Sequence, residues 1–321
     1  MEFFKYAIVD IGANSVRMII YDIDPQSGYF TPIYSARNMM GLAAYKEGSA
    51  LSPDGAGKLT AIIRDYLARA NCLPCDKFSA FATASLRGLS NSAEFIASIK
   101  RKFGVDIDII SGEEEAAYDF DAIRYRFGHE VFPHGVVIDM GGGSTEMIRF
   151  EDERADALTS MQLGCVMLGK KFIPEIKKSL FPKGSEIDDI KNYTKKVLSE
   201  NESFRAQGEN IYLIGGTGRA IAKLHSVMKN IEVKNFDGYT FEAADIGNIR
   251  AFAESDVADG APVIRKILSD RLTTVVPGIL AYEEIFAFLG AKHATVSACG
   301  VREGYLLNFI KKNFSQKSQE F

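Results

Sequence analysis

Two short stretches of this sequence repeat an acid, a glycine and a serine at one spacing. Residues 7–18 are AIVDIGANSVRM and residues 136–147 are VVIDMGGGSTEM, so both contain Asp-x-Gly-x-x-Ser-x-x-Met, beginning at Asp10 and Asp139. Glycine-rich turns bind phosphate through backbone N–H groups, and carboxylates bind the magnesium ion that accompanies phosphates. A single copy is more often only a turn, but the repetition predicts two phosphate-binding loops. Their predicted phosphate-binding residues are Gly12, Asn14 and Ser15, and Gly141, Gly142, Gly143 and Ser144.

Both loops are predicted to be β-hairpin turns. The residues that follow them, VRMII and MIRF, favour strands, whereas the glycines of dinucleotide-binding folds open a helix. A two-residue loop at Gly142–Gly143 would need positive φ. In this register Asp10 faces Arg17, whereas Asp139 faces Glu146. Because facing like charges are destabilising, Asp139 and Glu146 are predicted to bind a cation, with magnesium as the ion that such oxygens suit; the alternative is that Glu146 is a solvated strand residue.

A third acidic stretch, SGEEEAA at 111–117, begins a predicted helix. Ser111 and Glu114 have the spacing of a capping box, which would occupy Glu114 and leave Glu115 free. Three acids in one turn raise one another's pKa, which suits a base that must accept a proton. The alternative is that the three acids only favour the positive end of the helix.

Length, composition and charge limit the classes of protein. The chain has 321 residues, 46% of them hydrophobic, which is enough for two domains. A net charge of −4 and a pI of about 5.7 argue against nucleic acid or a membrane surface as a partner, and no apolar run would span a bilayer. We expect a cytoplasmic protein. The four cysteines and four histidines show no metal-ligand spacing, so the thiols are expected to be incidental.

Hydrophobic periodicity alternates strands and helices along the whole chain. A first cycle runs from the strand YAIVDIG to the helix GEEEAAYDFDAIRYRF, and a second begins with the strands GVVIDMG and STEMIRF. Arg87 follows the strand FATA, where α/β folds place ligand-binding residues. The pattern predicts an α/β fold of two similar halves.

Six motifs resemble the exopolyphosphatase and guanosine pentaphosphate phosphohydrolase family of the sugar kinase, heat-shock chaperone and actin superfamily. They are VDIGANSVR, ATASLR, ISGEEEA, IDMGGGSTE, GGTGRAIAKL and SACGVREGYL, in the expected order over nearly the whole chain. The resemblance implies two ribonuclease-H-like (actin-like) domains facing an interdomain cleft, with a hairpin on each side of the phosphate chain. We place the domains at 1–124 and 125–321, with the last helix able to pack back on the first domain.

The resemblance also implies roles for individual residues. It makes Glu115 the base that activates water, with Glu114 as the fallback, and it places Arg17 and Arg87 along the phosphate path. Further phosphate contacts are implied for Gly216, Thr217 and Arg271. One departure is Met167 in LGCVML, where the family commonly has an arginine.

The predicted function is a magnesium-dependent exopolyphosphatase that removes terminal phosphate from inorganic polyphosphate. One alternative is hydrolysis of guanosine pentaphosphate to the tetraphosphate. A kinase that uses ATP and a sugar, and a non-catalytic actin-like protein that binds polyphosphate or a nucleotide, are the others. The resemblance also implies a possible homodimer.

Overall fold

The computed structural model describes residues 3–128, 134–152, 154–173 and 180–314. The chain divides into two compact units, Met1–Glu115 with Tyr305–Phe321, and Ala116–Gly304. This division and the boundary predicted after residue 124 both fall within the helix Gly112–Phe127.

A five-stranded sheet forms the centre of the first unit. The elements of this unit are β1 (Phe4–Ile11), β2 (Val16–Ile23), β3 (Phe30–Asn38), the short pair β4 (Lys46–Glu47) and β5 (Ala50–Leu51), α1 (Pro53–Cys72), β6 (Lys77–Ala82), α2 (Ser92–Phe103), β7 (Ile107–Ile109) and the start of α3 (Gly112–Phe127). The sheet order is β3-β2-β1-β6-β7. Strands β1, β6 and β7 are parallel, and β2 and β3 are antiparallel to their neighbours.

The second unit repeats this arrangement. Its strands are β8 (His134–Met140), β9 (Thr145–Glu151), β10 (Arg154–Met161), β11 (Asn210–Ile214), β12 (Thr240–Glu242) and β13 (His293–Val296), and its helices are α4 (Cys165–Phe172), α5 (Gly184–Ser199), α6 (Gly215–Met228), α7 (Ile246–Ala258), α8 (Pro262–Ile267), α9 (Val275–Leu289) and the start of α10 (Val301–Phe314). The sheet order is β10-β9-β8-β11-β13-β12, with β8, β11 and β13 parallel. The shared order confirms the predicted α/β fold with two ribonuclease-H-like halves.

Each sheet buries both faces at its centre. In the first unit, Val9 and Ile11 of β1 share a core with Leu59 and Ile63 of α1. The opposite face of β1 is covered by α10, whose Phe309 ring lies 4.5 Å from the ring of Tyr6. In the second unit, α3 covers the corresponding face in the same way, through Phe120, Ile123 and the strand residues around them. Strands buried on both faces hold the loops at their carboxyl ends in place.

Residues at the ends of α1 and α2 have the types that commonly cap helices. Ser52 caps α1 by accepting a hydrogen bond from the Gly55 N–H at 3.1 Å, and Gly104 ends α2 with φ of 70°. The spacing of Asn91 and Glu94 in the sequence also predicts a capping box at the start of α2, and this prediction is wrong, since the Asn91 side chain makes no cap hydrogen bond. The Asn91 side chain bonds both backbone groups of Leu51, at 2.9 Å each, so it holds β5 instead of capping α2.

No helix within the described ranges combines the length and the apolar character that crossing a bilayer requires.

Gly304 of α10 permits a close helix contact in the second unit. A Cβ atom added there would overlap the carbonyl group of Tyr118 in α3. We expect Gly304→Ala to lower the free energy of unfolding by about 1–3 kcal/mol, because backbone atoms cannot move aside as a side chain can. Gly57→Ala is the matched control. Gly57 is an exposed helical glycine with open space around it, and its replacement should stabilise by about 0.5–1 kcal/mol. Urea unfolding of both variants tests this, and equal stability would contradict it.

Candidate active site

The first hairpin has the predicted register. Asp10 pairs with Arg17 and Ile11 with Val16 across β1 and β2, and the Gly12 N–H donates to the Ser15 carbonyl at 3.0 Å. The facing acid and base are therefore neighbours on one face of the sheet. This hairpin carries an internal charge pair beside its turn.

The second hairpin has the same register. Asp139 pairs with Glu146 across β8 and β9, and the Gly141 N–H donates to the Ser144 carbonyl at 2.9 Å. Positive φ was expected at Gly142–Gly143, and this expectation is wrong, since neither glycine is among those with positive φ. One hydrogen bond thus closes the turn, and the carbonyl of Gly141 instead accepts the N–H of Cys165 in α4 at 3.1 Å.

Both turns present backbone donors that no part of the described chain uses. After the single hydrogen bond that closes each turn, the next three N–H groups donate to no protein acceptor within the described ranges. These are the N–H groups of Ala13, Asn14 and Ser15, and of Gly142, Gly143 and Ser144. Consecutive unused N–H groups in a turn form a concave donor surface that suits an anion.

Helix α4 supports the second turn at close range. The N–H groups of Val166 and Met167 both donate to the Gly142 carbonyl at 3.0 Å. A Cβ atom at Gly164 would overlap the backbone of Gly142, so the two segments touch through glycine. Met167 therefore supports the turn through its backbone N–H.

Arg87 and Glu115 are brought together in the first unit. Nη2 of Arg87 donates to Oε2 of Glu115 at 2.8 Å, and its Nε donates to the carbonyl of Ile110 at 3.0 Å. The loop that carries Arg87 is tied to the hairpin, since the Ser85 hydroxyl donates to the carbonyl of Ile11 at the end of β1. Arg87 and Glu115 thus lie at the carboxyl ends of β6 and β7, beside the end of β1.

The predicted capping box of α3 is confirmed. The Ser111 N–H donates to Glu114 Oε2 at 2.8 Å, and the Glu114 N–H donates to the Ser111 hydroxyl at 3.0 Å. Glu115 is only 6% exposed and contacts Arg87, so the expectation of an unneutralised acid is wrong. The neighbouring arginine balances the charge of a carboxylate that burial would otherwise make costly.

The two acids of the second hairpin lie on the face of the sheet that α3 covers. Glu146 is 1% exposed, and its Oε1 accepts the Ser160 hydroxyl at 2.7 Å. The carboxylate of Asp139 lies against Gly215, where a Cβ atom would overlap it and where φ is 80°. Two facing carboxylates, one of them buried, fit the oxygen ligands that magnesium uses. In the described part of the chain, no group of three or more His, Cys, Asp or Glu residues could hold a metal by itself.

The motif GGTG forms the first turn of α6. The Thr217 hydroxyl donates to the Met140 carbonyl at 3.2 Å, which ties this turn to the end of β8. The guanidinium of Arg271 lies where a Cβ atom of Gly216 would be, so Gly216 provides the space for it. Gly216, Thr217 and Arg271 therefore lie close together at the start of α6, next to the Gly215 that contacts Asp139.

Two buried residues beside this site, Tyr282 and Cys165, could not be assigned to it from the sequence. Burial, and then the charge of Asp139, raise the pKa of Tyr282 well above its ordinary value. Burial also raises the pKa of the Cys165 thiol, whose Sγ lies 3.4 Å from the Gly141 carbonyl. The buried Cys165 side chain therefore packs against the second turn. Tyr282 lies in the apolar helix α9, where nothing distinguishes it from a core residue.

Comparison with known proteins gives relatives over most of the chain. Exopolyphosphatase 1 of Mycobacterium bovis is 24% identical over 310 residues, covering 94% of this chain and 87% of that protein. A guanosine-5'-triphosphate,3'-diphosphate pyrophosphatase of Vibrio cholerae is 35% identical over 162 residues, covering 50% of this chain and 32% of that protein. The crystal structure of the Aquifex aeolicus member of the Ppx/GppA family has a TM-score of 0.80 at 23% identity, covering 97% of this chain and 99% of that chain, which shows the same fold.

One family model matches most of the chain and not only single motifs. The model of the Ppx/GppA phosphatase family matches residues 19–313, which includes the second hairpin, Arg87, Glu115 and the first turn of α6. This chain therefore belongs to the Ppx/GppA phosphatase family, whose members are phosphoanhydride hydrolases.

Proposed function

We propose that this protein removes the terminal phosphate from inorganic polyphosphate by magnesium-assisted attack of water. The observation that carries the proposal is the pair of hairpin turns, each with three consecutive backbone N–H groups that no protein acceptor uses. Backbone donors of this kind bind phosphate oxygens without contacting any base or sugar. A relative named an exopolyphosphatase, which matches 94% of this chain, also supports the proposal.

The two turns have different roles in this proposal. The turn at Gly12–Ser15 binds one phosphate, with Arg17 adding positive charge. The turn at Gly141–Ser144 binds another, and Gly216, Thr217 and Arg271 extend the second site. Phosphoryl transfer mainly requires positioning and neutralisation of charge, which backbone donors and arginines supply.

Glu115 is the proposed general base. It accepts a proton from water as the water oxygen forms a bond to the terminal phosphorus, and the bridging P–O bond breaks, so that its electron pair leaves with the shortened chain. The Arg87 guanidinium, 2.8 Å from Glu115, fixes the orientation of the carboxylate. It is also available to the phosphate oxygens, because arginine has five donors and Arg87 uses two of them in these contacts.

Magnesium would be held by Asp139 and Glu146 together with oxygens of the substrate. It usually binds through one or two carboxylates plus phosphates, and not through a complete protein cage. When bound, it neutralises charge on the phosphate oxygens.

Guanosine pentaphosphate is a second candidate substrate. The Vibrio cholerae relative named for this nucleotide shares the higher identity, 35%, but over half of this chain only. The 5'-triphosphate of guanosine pentaphosphate ends in the same kind of phosphoanhydride bond as polyphosphate. The two substrates therefore differ in what lies beyond the phosphates held by the turns.

A side-by-side substrate profile tests the proposal. Phosphate release is measured with long polyphosphate, tripolyphosphate, guanosine pentaphosphate and ATP, each with magnesium and after chelation. We expect the highest kcat/KM with long polyphosphate and loss of release after chelation, restored by added magnesium. Faster release from guanosine pentaphosphate would assign the second candidate. Binding of polyphosphate without release under any divalent metal would contradict hydrolysis and support a non-catalytic binder.

A further inference from the structure

The hydroxyl of Tyr282 is a buried polar group in the second unit. The Tyr282 side chain is fully buried in α9, and its hydroxyl forms a hydrogen bond with no group in the described part of the chain. A buried hydroxyl without a partner lowers stability, so such groups are rare and commonly bind an ordered water molecule. A phenylalanine would fill the same space without this cost, so the hydroxyl needs an explanation other than packing.

The contacts of α9 place the Tyr282 side chain beside the end of β8. Gly278 lies one turn before Tyr282 on the same face of the helix. A Cβ atom at Gly278 would overlap the methyl group of Thr217 and lie 3.7 Å from the Cβ atom of Cys165. Helical side chains lean towards the N-terminus of their helix, so the Tyr282 ring extends towards Gly278 and its neighbours. The Thr217 hydroxyl in turn donates to the Met140 carbonyl, so this face of α9 lies against the end of β8.

Electrostatic effects on the hydroxyl identify the groups near it. Burial raises the pKa of Tyr282, and the negative charge of Asp139 raises it further. The backbone of Met140 lowers this pKa, which is the effect of an N–H group and not of a carbonyl. An N–H group cannot accept the hydroxyl proton. The hydroxyl therefore lies near the Asp139 carboxylate, and its proton has no acceptor among the described residues.

We propose that Tyr282 is a positioning residue that donates its hydroxyl proton, through one water molecule, to the Asp139 carboxylate and so fixes the orientation in which that carboxylate binds magnesium. The inference rests on the proposed function, because it takes Asp139 to be a magnesium ligand. Carboxylates that bind metals are commonly held by further hydrogen bonds. A buried water needs about two to four polar partners, and the hydroxyl and the carboxylate supply two. Tyr282 takes no part in the chemical step.

Magnesium-dependent thermal stability tests the inference in a Glu115→Gln background, which slows the proposed hydrolysis. Melting temperature is measured with tripolyphosphate over a range of free magnesium concentrations. Tyr282→Phe should raise the half-saturating magnesium concentration about tenfold, because the Asp139 carboxylate loses a group that orients it. It should also lower the melting temperature without magnesium, because it removes a hydrogen-bonded hydroxyl.

Tyr239→Phe is the matched control in the same unit. The Tyr239 hydroxyl lies 2.7 Å from Nδ1 of His225, so its removal should lower the melting temperature and leave the half-saturating magnesium concentration unchanged. In steady-state hydrolysis of polyphosphate, Tyr282→Phe should raise the KM for magnesium about tenfold and keep kcat within about twofold at saturating magnesium. A purely structural role would not produce this difference between KM and kcat.

The possible outcomes separate this inference from the proposed function. If Tyr282→Phe keeps or raises the melting temperature and has the same magnesium dependence, the hydroxyl is an unpaired core group, and the inference alone is overturned. A lower melting temperature with unchanged magnesium dependence also overturns it, because the hydroxyl then only stabilises the core. If the wild-type chain releases no phosphate but its magnesium affinity depends on Tyr282, the proposed reaction is overturned and the positioning role is retained.

Discussion

Glu115→Gln is expected to lower kcat for polyphosphate by about 10²–10⁴-fold, the range that removal of a general base produces. Glutamine has nearly the same shape and can still accept a hydrogen bond from Arg87 Nη2, which lies 2.8 Å from the carboxylate. It cannot accept the proton of water. KM should stay within a few-fold, because in the proposed mechanism Glu115 contacts the nucleophile and not the phosphate chain. Phosphate release under saturating substrate measures the effect.

Two neighbouring glutamates provide matched controls for this prediction. Glu113 is exposed in the same helical turn, so Glu113→Gln should leave kcat unchanged. Glu114→Gln alters the capping box, so it should lower stability by up to about 1 kcal/mol without a large loss of turnover. If Glu114→Gln loses activity and Glu115→Gln keeps it, the fallback base is correct. If neither variant loses activity, the base lies elsewhere.

The parts of the site that could be predicted are those set by local sequence. The two hairpins follow from strand-forming residues on each side of a glycine turn, and the register then fixes which residues face each other, as with Asp139 and Glu146. The capping box at Ser111 follows from spacing alone. The duplicated sheet order follows from the duplicated motif.

The parts that could not be predicted depend on contacts between distant segments. The pairing of Arg87 with Glu115 joins two loops that follow different strands, and no local pattern encodes it. The non-positive φ of Gly142 and Gly143 results from α4, whose N–H groups take the turn's carbonyls. Strands β3 and β10 are sheet edges with many exposed residues, so their hydrophobic alternation is weak. The facing of the two hairpins across an interdomain cleft stays a prediction.

The duplicated acid gives a test of the proposed magnesium site in which two variants should respond with opposite signs. Asp139 faces Glu146, whereas Asp10 faces Arg17 at the same position of the repeat. Without magnesium, Asp139→Asn should not lower stability and can raise it by about 0.2–1 kcal/mol, because it removes a repulsion between facing carboxylates. Asp10→Asn should lower stability by a similar amount, because it removes an attraction.

Adding magnesium with a phosphate ligand should reverse the order of thermal stability of Asp139→Asn and Asp10→Asn. The wild-type chain and Asp10→Asn should gain thermal stability from the bound ion, by about 2.7 kcal/mol at a hundredfold excess over Kd, whereas Asp139→Asn should gain little. Asp139→Asn should also lose most of its turnover, by at least about 10²-fold, because the charge on the phosphate oxygens is no longer neutralised. Melting curves with tripolyphosphate, with and without magnesium, measure the first effect, and phosphate release measures the second. If magnesium stabilises Asp139→Asn as much as the wild-type chain, the ion binds to other ligands. If Asp10→Asn is the variant that loses the magnesium-dependent stabilisation, the ion binds at the first hairpin.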